Sequence, residues 1–216
     1  MCRLLFMSSK ENIKINDYLK EFADICEKSL TPDNDRQKDG WGIFTLEQYY
    51  KSIKPIWTEK FLFDKFLSSK LLVVHSRSAH SNENDIELNQ PYVDQGLVFI
   101  FNGLLKNVKI KIDGKIGAQK LFNLIKKIYQ ENNNDYWKKF FKYVIDNTEF
   151  IVGMNIILLD LNLKKLNLIS VFNKHPDYFT LRLYQDENLI IVCSQPLSKF
   201  NFQKLPSETI LSIDLK

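Results

Sequence analysis

The chain is poor in cysteine, glycine and proline, with 3, 7 and 6 of them among 216 residues. Its cysteines, Cys2, Cys26 and Cys193, are odd in number and widely spaced, and they form no Cys-x-x-Cys pair. A disulfide framework is therefore not indicated. Cys26 and Cys193 lie in apolar patterns and are predicted to be buried thiols. This usage is typical of a reducing compartment, so we predict a cytoplasmic protein.

The sequence also lacks the segments that direct a chain to a membrane or to nucleic acid. Its longest apolar run, residues 150–161, is interrupted by Asn155 and Asp160 and is too short to span a bilayer. The short apolar start leads directly into polar residues, which does not fit a signal peptide. The net charge of +4 is spread along the chain rather than clustered. We therefore predict neither a membrane nor a nucleic-acid partner.

The chain is rich in residues that can form a hydrophobic core. Hydrophobic residues make up 44% and charged residues 26%, and the 16 phenylalanines favour a large core over disorder. The length suits one domain or at most two small ones. We found no internal repeat or linker, and we predict a single domain over residues 1–216.

Hydrophobic periodicity predicts an α+β fold with antiparallel sheets and helices on their outer faces. Short polar turns at residues 162–164 and 186–188 favour antiparallel hairpins late in the chain. The predicted helices cover residues 15–29, 60–67, 117–131 and 135–146. The predicted strands cover residues 2–8, 43–46, 71–75, 96–101, 150–161, 165–172, 178–184 and 189–193.

Cys2 directly follows the initiator methionine. If Met1 is removed, one residue carries both a thiol and a free α-amine, whose unperturbed pKa is about 7.7–8.0. Such an amine can take the thiol proton without a histidine partner. The alternative is that Cys2 is a small apolar residue in an edge strand.

Three further positions could contribute groups to a functional site, and each of them also has a purely structural explanation. Arg77 follows a buried strand. Its guanidinium group can bind a carboxylate, or it can form an ordinary surface ion pair. Asn102-Gly103 can supply two donors to an oxyanion, or it can form an ordinary hairpin turn. Glycines on both sides of Trp41 indicate a close backbone approach, or a tight turn with a packed tryptophan.

Together these segments resemble the class II glutamine amidotransferases, which are N-terminal-nucleophile hydrolases. The resemblance covers nearly the whole chain and is closest to the small stand-alone members. Five motifs occur in the order that the family shows. They are Met1-Cys2-Arg3-Leu4-Leu5, Asp39-Gly40-Trp41-Gly42, Val74-His75-Ser76-Arg77, Phe101-Asn102-Gly103 and Cys193-Ser194-Gln195-Pro196-Leu197.

The resemblance implies a four-layer αββα sandwich and a hydrolase of the side-chain amide of glutamine or a γ-glutamyl compound. Cys2 would be the nucleophile, and Asn102 and Gly103 would form the oxyanion hole. The substrate would be bound by Arg77, which would hold its carboxylate, and by Ser78, His80 and Trp41. No cofactor is implied, and the three histidines form no convincing metal-ligand set with the cysteines.

The sequence departs from the family at the element that binds the substrate α-amine. Where the family has an acidic residue after the Asn-Gly turn, residues 115–122 contain no carboxylate, and Asp113 is the nearest one. Gln90-Pro91-Tyr92 replaces the usual His-Pro-Phe, Phe101 replaces a histidine, and Gln195 replaces a glutamate. We therefore predict an amide hydrolase whose substrate need not be free glutamine.

Two functions remain open from the sequence. The first is an enzyme that hydrolyses a small amide or passes ammonia to a separate synthase subunit. The second is a catalytically impaired binding or assembly subunit that keeps the fold. Retention of Met1 would favour the second function, because it blocks the α-amine of Cys2.

Overall fold

The computed structural model describes residues 1–66, 68–79, 85–131 and 135–215. Its strands form two antiparallel sheets. The twelve strands of the described ranges are β1 (Arg3–Lys14), β2 (Trp41–Phe44), β3 (Tyr49–Ser52), β4 (Ser68–Ser76), β5 (Tyr92–Asp94), β6 (Leu97–Val108), β7 (Thr148–Asp160), β8 (Lys165–Phe172), β9 (Arg182–Gln185), β10 (Leu189–Cys193), β11 (Gln203–Lys204) and β12 (Thr209–Asp214).

The first sheet has the strand order β11-β9-β10-β1-β4-β2-β3, and the second has the order β12-β8-β7-β6-β5. The helices are α1 (Ile15–Lys28), α2 (Gly117–Gln130), α3 (Tyr136–Asp146) and the single turn α4 (Pro176–Phe179). Two segments are 3-10 helices, Ile56–Lys65 and Ile86–Leu88. No helix within the described ranges is long and apolar enough to cross a bilayer.

Three buried clusters define four layers. Leu19 and Phe22 of α1 pack on the outer face of the first sheet. Leu121 and Ile125 of α2 pack, together with α3, on the outer face of the second sheet. Between the two sheets, the inward positions of β1, β4, β6, β7 and β8 form the central layer. The sequence-based expectation of a four-layer α+β sandwich is thus confirmed.

Alternation along the strands decides which side chains reach the central layer. Successive side chains point to opposite faces of a sheet. In β1, Leu4 and Phe6 face the second sheet, whereas Leu5 and Met7 face α1. In the second sheet, Val98 and Ile100 of β6 face back toward β1.

Two of the predicted elements differ in kind from the structure, and the predicted helix 60–67 is instead the 3-10 helix Ile56–Lys65, with residue 67 outside the described ranges. Asn102-Gly103 is not a turn, because β6 continues through it and pairs with Asn155 and Met154 of β7. Residues 178–184 are not one strand. Tyr178 and Phe179 belong to α4, which begins with Pro176 at a position that proline favours, and β9 starts at Arg182.

Candidate active site

Cys2, Arg77 and Asn102, three of the residues that the sequence motifs single out, lie at one end of the central layer. Arg3 of β1 pairs with Ser76 of β4, and extending this antiparallel register by one residue sets Cys2 opposite Arg77. Cys2 continues the inward-facing positions of Leu4 and Phe6. Asn102 likewise continues those of Val98 and Ile100 on β6. Two sheets and three strands therefore bring together residues that are up to 100 positions apart in the chain.

Asn102 contacts Cys2 directly. The main-chain N–H of Cys2 donates to Oδ1 of Asn102 at 2.7 Å. Asn102 is fully buried, and its Nδ2 atom has no hydrogen-bond partner among the described residues. A buried amide donor without a partner is costly unless a ligand or water takes it. The geometry therefore leaves a polarised N–H group available beside Cys2.

A cavity of about 470 Å³ opens at this point. Four of the predicted site residues line it, namely Cys2, Arg77, Ser78 and Gly103. Cys2 is partly exposed, whereas Cys26 and Cys193 are buried and burial raises the pKa of both thiols to about 12. Among the three cysteines, Cys2 is the one with access to a cavity. His80 lies outside the described residues.

Met1 occupies part of the same region. Its ammonium group donates to the carbonyl oxygen of Ser78 at 2.9 Å in a buried position. Its side chain is 5% exposed and packs with Val152, Tyr178 and Phe179. With Met1 in place, the nitrogen of Cys2 is a peptide N–H and has no basic lone pair. The chemistry predicted for Cys2 therefore requires Met1 to leave.

The loop at Asp39 and Gly40 holds Arg77 in place through the main chain. The N–H of Arg77 donates to Gly40 O at 2.8 Å, and the N–H of Asp39 donates to Arg77 O at 3.0 Å. The Asp39 carboxylate accepts from the N–H of Ala79 at 2.7 Å. Gly40 has a φ of 114°, and a Cβ atom there would collide with the Asn89 side chain. The close backbone approach predicted for these glycines is thus present.

Trp41 does not lie at the cavity. It pairs with Ser76 on β4, and alternation turns its side chain to the outer face of the sheet, away from Arg77. The side chain is fully buried beside Phe63 and Phe66. Its indole N–H donates to the buried Glu59 carboxylate at 2.9 Å. The structure therefore places Trp41 in the core, as the packed-tryptophan alternative predicted, and not among substrate-binding groups.

Tyr178 and Gln90, which the sequence analysis did not assign to the site, form hydrogen bonds with main-chain atoms of the site. The Tyr178 hydroxyl donates to Cys2 O at 3.1 Å, and burial raises the pKa of this phenol, which keeps the donor protonated. Gln90 accepts from the Phe101 N–H at 2.6 Å and so fixes β6 immediately before Asn102. Gln90 was visible as a departure from the family motif, whereas no sequence signal indicated Tyr178.

His75 lies deeper in the central layer, opposite Leu4 on β1. Burial and, to a smaller extent, the positive charge of Arg77 lower the pKa of His75 to about 3, although the Phe101 main chain acts in the opposite direction. Neither ring nitrogen meets hydrogen-bond geometry with a described residue. At neutral pH the ring is therefore uncharged, and it is enclosed rather than open to the cavity.

The described part of the chain holds no cluster of three or more His, Cys, Asp or Glu side chains that could bind a metal ion. Its charged residues at the cavity are Arg77, Lys115 and Lys120, with no Asp or Glu among them. Asp113 does not line the cavity. The carboxylate that the family pattern lacks in sequence is thus not replaced by Asp113.

Comparison with known proteins bears on the fold. No protein-family model and no curated protein matches the sequence. A solved structure of a glutamine aminotransferase class-II domain protein from Silicibacter pomeroyi is similar, with a TM-score of 0.64. The identity is 13%, and the match covers 99% of this chain and 95% of that chain.

The glutamine phosphoribosylpyrophosphate amidotransferase from B. subtilis, solved with ADP and GMP, is also similar, with a TM-score of 0.59 and 15% identity. That match covers 89% of this chain but 42% of the other, so this chain corresponds to less than half of that enzyme. The chain therefore has the fold of the class II glutamine amidotransferase domain, and the resemblance inferred from its motifs holds at the level of fold.

Proposed function

We propose that the whole chain forms one class II amidotransferase-type domain that hydrolyses a side-chain amide of the glutamine or γ-glutamyl kind. One observation carries the proposal. Asn102 accepts from the Cys2 nitrogen through Oδ1 and keeps Nδ2 buried, without a partner among the described residues, beside a cavity that Cys2, Gly103 and Arg77 line. In this proposal Cys2 is the nucleophile, Asn102 an oxyanion donor and Arg77 the carboxylate-binding group of one site.

The proposed reaction has two steps. Sγ of Cys2 attacks the amide carbon, a C–S bond forms, and the carbonyl electrons move to oxygen, where Nδ2 of Asn102 and the N–H of Gly103 stabilise the charge. The C–N bond then breaks, and the thiol proton passes through the Cys2 α-amine to the leaving nitrogen, which departs as ammonia. Water attacks the thioester, the C–S bond breaks, and its proton returns to the thiol.

Arg77 orients the substrate in this scheme. Its guanidinium can bind a carboxylate bidentately, which fixes both the distance and the plane of the bound group. Binding at this point would place the amide at Cys2. Ser78 and His80 remain proposed substrate-binding residues, because Ser78 follows Arg77 directly and His80 lies three positions after it.

Removal of Met1 is the first test. Intact-mass measurement should show a chain that begins at Cys2, and such a chain should release ammonia from glutamine-type amides. Cys2→Ala should abolish release, whereas Cys26→Ala, which removes a buried thiol away from the cavity, should keep the activity per folded molecule. Activity that survives Cys2→Ala, or a Met1-free chain that turns over no such amide, would refute the proposal.

A second candidate is a non-catalytic binding or assembly subunit. The buried Met1 ammonium on Ser78 and the packed Met1 side chain favour it, because these contacts stabilise the unprocessed N-terminus. Purified protein that retains Met1 and shows no turnover would support this candidate over the enzyme.

A separate synthase that consumes the ammonia is a proposed partner. The synthase would raise the turnover of the amide when it is added to the enzyme, whereas a simple hydrolase would be unaffected. Rates of amide loss with and without the candidate synthase distinguish the two.

A further inference from the structure

We propose that the substrate is a glutamine-like amide whose α-nitrogen carries an apolar acyl group, a proposal that rests on the amide-hydrolase function above. The inference concerns the part of the cavity that lies beyond Cys2 and Arg77. The size of this region, its apolar wall and its charges each point to the same chemistry.

The cavity extends well past the reacting groups. From Gly103 it follows the end of β6 and reaches the first turn of α2. Its volume of about 470 Å³ falls in the range of about 300–1,000 Å³ typical of pockets that bury drug-sized ligands. Free glutamine is smaller than such ligands. Beside Lys115 and Lys120, six large apolar side chains line this extension, namely Leu104, Leu105, Val108, Ile110, Ile116 and Leu121.

The charges at the cavity disfavour an ammonium group. The charged side chains among its described lining residues, Arg77, Lys115 and Lys120, are all cations. Lys115 also forms a 2.8 Å ion pair with Asp85, which is not itself a lining residue. A carboxylate is attracted to such a lining, whereas an ammonium buried there meets no carboxylate among the described lining residues.

The connectivity of the substrate then decides where an apolar group can be attached. The α-carbon of a glutamine-like molecule bears hydrogen, the amide side chain, the carboxylate and nitrogen. If Cys2 takes the amide and Arg77 the carboxylate, the nitrogen is the group left to carry a substituent into the apolar extension. Acylation of that nitrogen supplies apolar surface and removes the positive charge at the same time.

An acylated nitrogen still has one N–H to donate. The carbonyl oxygen of Ser78, which accepts the Met1 ammonium at 2.9 Å, is a neutral acceptor at the same cavity. Once Met1 has left, an amide N–H can use this oxygen without any counter-charge. A γ-glutamyl alkylamide would also bring apolar surface, but on the leaving nitrogen, and it would retain the α-ammonium.

The test compares four amides with the Met1-free protein: L-glutamine, N-acetyl-L-glutamine, N-hexanoyl-L-glutamine and γ-glutamylbutylamide. We expect kcat/KM to rise from L-glutamine to the N-acetyl and then the N-hexanoyl compound, the last by about tenfold or more. A preference for L-glutamine or for γ-glutamylbutylamide would overturn this inference and leave the hydrolase function intact. Turnover of none of the four would refute the function itself.

A variant locates the acyl group. Gly117 lines the cavity at the start of α2, and a Cβ atom there meets no atom within 4 Å apart from its chain neighbours and the backbone of its own helix. Gly117→Leu adds a large side chain at this end of the cavity and should lower the ratio of kcat/KM for N-hexanoyl over N-acetyl-L-glutamine by about tenfold. Gln130→Leu, which adds the same side chain at the exposed far end of α2, should leave the ratio unchanged. Equal ratios in both variants would overturn the placement.

Discussion

At the residue scale, the site depends on the different hydrogen bonding of the two polar atoms in the Asn102 side chain. The side-chain oxygen of Asn102 accepts from Cys2, whereas its nitrogen has no partner among the described residues, although both atoms belong to one buried amide. Burying a donor without a partner costs free energy, and the favourable packing of the surrounding side chains has to offset that cost. Such a donor needs no reorganisation when charge develops on a bound carbonyl, which is what makes oxyanion stabilisation effective.

Asn102→Ala is therefore expected to lower kcat by about 10²–10³ with a much smaller change in KM, because the lost donor acts on the transition state. Steady-state kinetics on the Met1-free protein measure this. Asn167→Ala is the matched control, since Asn167 is also a buried asparagine of the second sheet but donates to Tyr136 instead. Equal losses of kcat in both variants would count against a role in the oxyanion hole.

His75 predicts a dependence of stability on pH. Its folded pKa of about 3 lies below the ordinary value of 6.5, because burial and the Arg77 charge oppose protonation. Between about pH 3 and pH 6.5, His75 binds a proton more strongly in the unfolded chain than in the folded protein. The free energy of unfolding therefore falls as pH falls from about 6.5 toward 3. His75→Leu should flatten that decline by about 1 kcal/mol per pH unit. Urea unfolding at several pH values measures the slope, and identical slopes in both proteins would contradict the assignment.

At the scale of elements, the pairing of β6 with β7 sets the position of Asn102 and Gly103. A hairpin turn at this Asn-Gly pair would have ended the strand, but the ladder continues through it to Val108. Gly103 lies so close to the main chain of β7 that an added Cβ would collide with Gly153 O. Gly103 therefore allows β6 and β7 to pack closely, in addition to its proposed role in the chemistry.

Gly103→Ala should destabilise the protein by about 1–3 kcal/mol, because backbone atoms of two paired strands would have to separate. Gly117→Ala is the comparison, since it adds the same atom in open space at the start of α2. There the better helix propensity of alanine should leave stability equal or raise it by up to about 1 kcal/mol. Chemical denaturation of the two variants tests the pair, and similar free energies of unfolding would refute the packing argument.

At the scale of the whole molecule, the central layer joins the sheets, and the site is its open end. Leu4 and Phe6 on β1 continue in line to Cys2, just as Val98 and Ile100 on β6 continue to Asn102. Rigid packing of this layer therefore positions the site. Separation of the sheets would remove the contact between Cys2 and Asn102, since each residue belongs to a different sheet.

Phe6→Ala should therefore cost about 3–5 kcal/mol, as expected for a fully buried phenylalanine, and both sheets should unfold in one transition. Phe61→Ala removes the same side chain where it is 71% exposed, and the change should stay within about 0.5 kcal/mol. Denaturation followed by circular dichroism and by tryptophan fluorescence measures both. Two separate transitions, or equal costs, would contradict a single central core.

Much of this architecture was predictable from local sequence. Strand β8 and strand β10 begin and end where the hydrophobic runs predicted, and α1, α2 and α3 differ from the predicted helices by one residue at an end. Short edge strands such as β11 and β12 were not predicted. Their residues are largely exposed or half-buried, and their partners β9 and β8 determine that they are strands.

The sequence by itself determined the order of the motifs, the amphipathic helices and the long apolar strands, because these depend on periodicities that are written in neighbouring residues. Only the tertiary structure decided that Trp41 faces the core, that Asn102 meets Cys2, and that the cavity continues along an apolar wall. Those outcomes depend on strand register and on the packing of one sheet against the other. Both are long-range properties, and a shift of one residue would reverse every side chain involved.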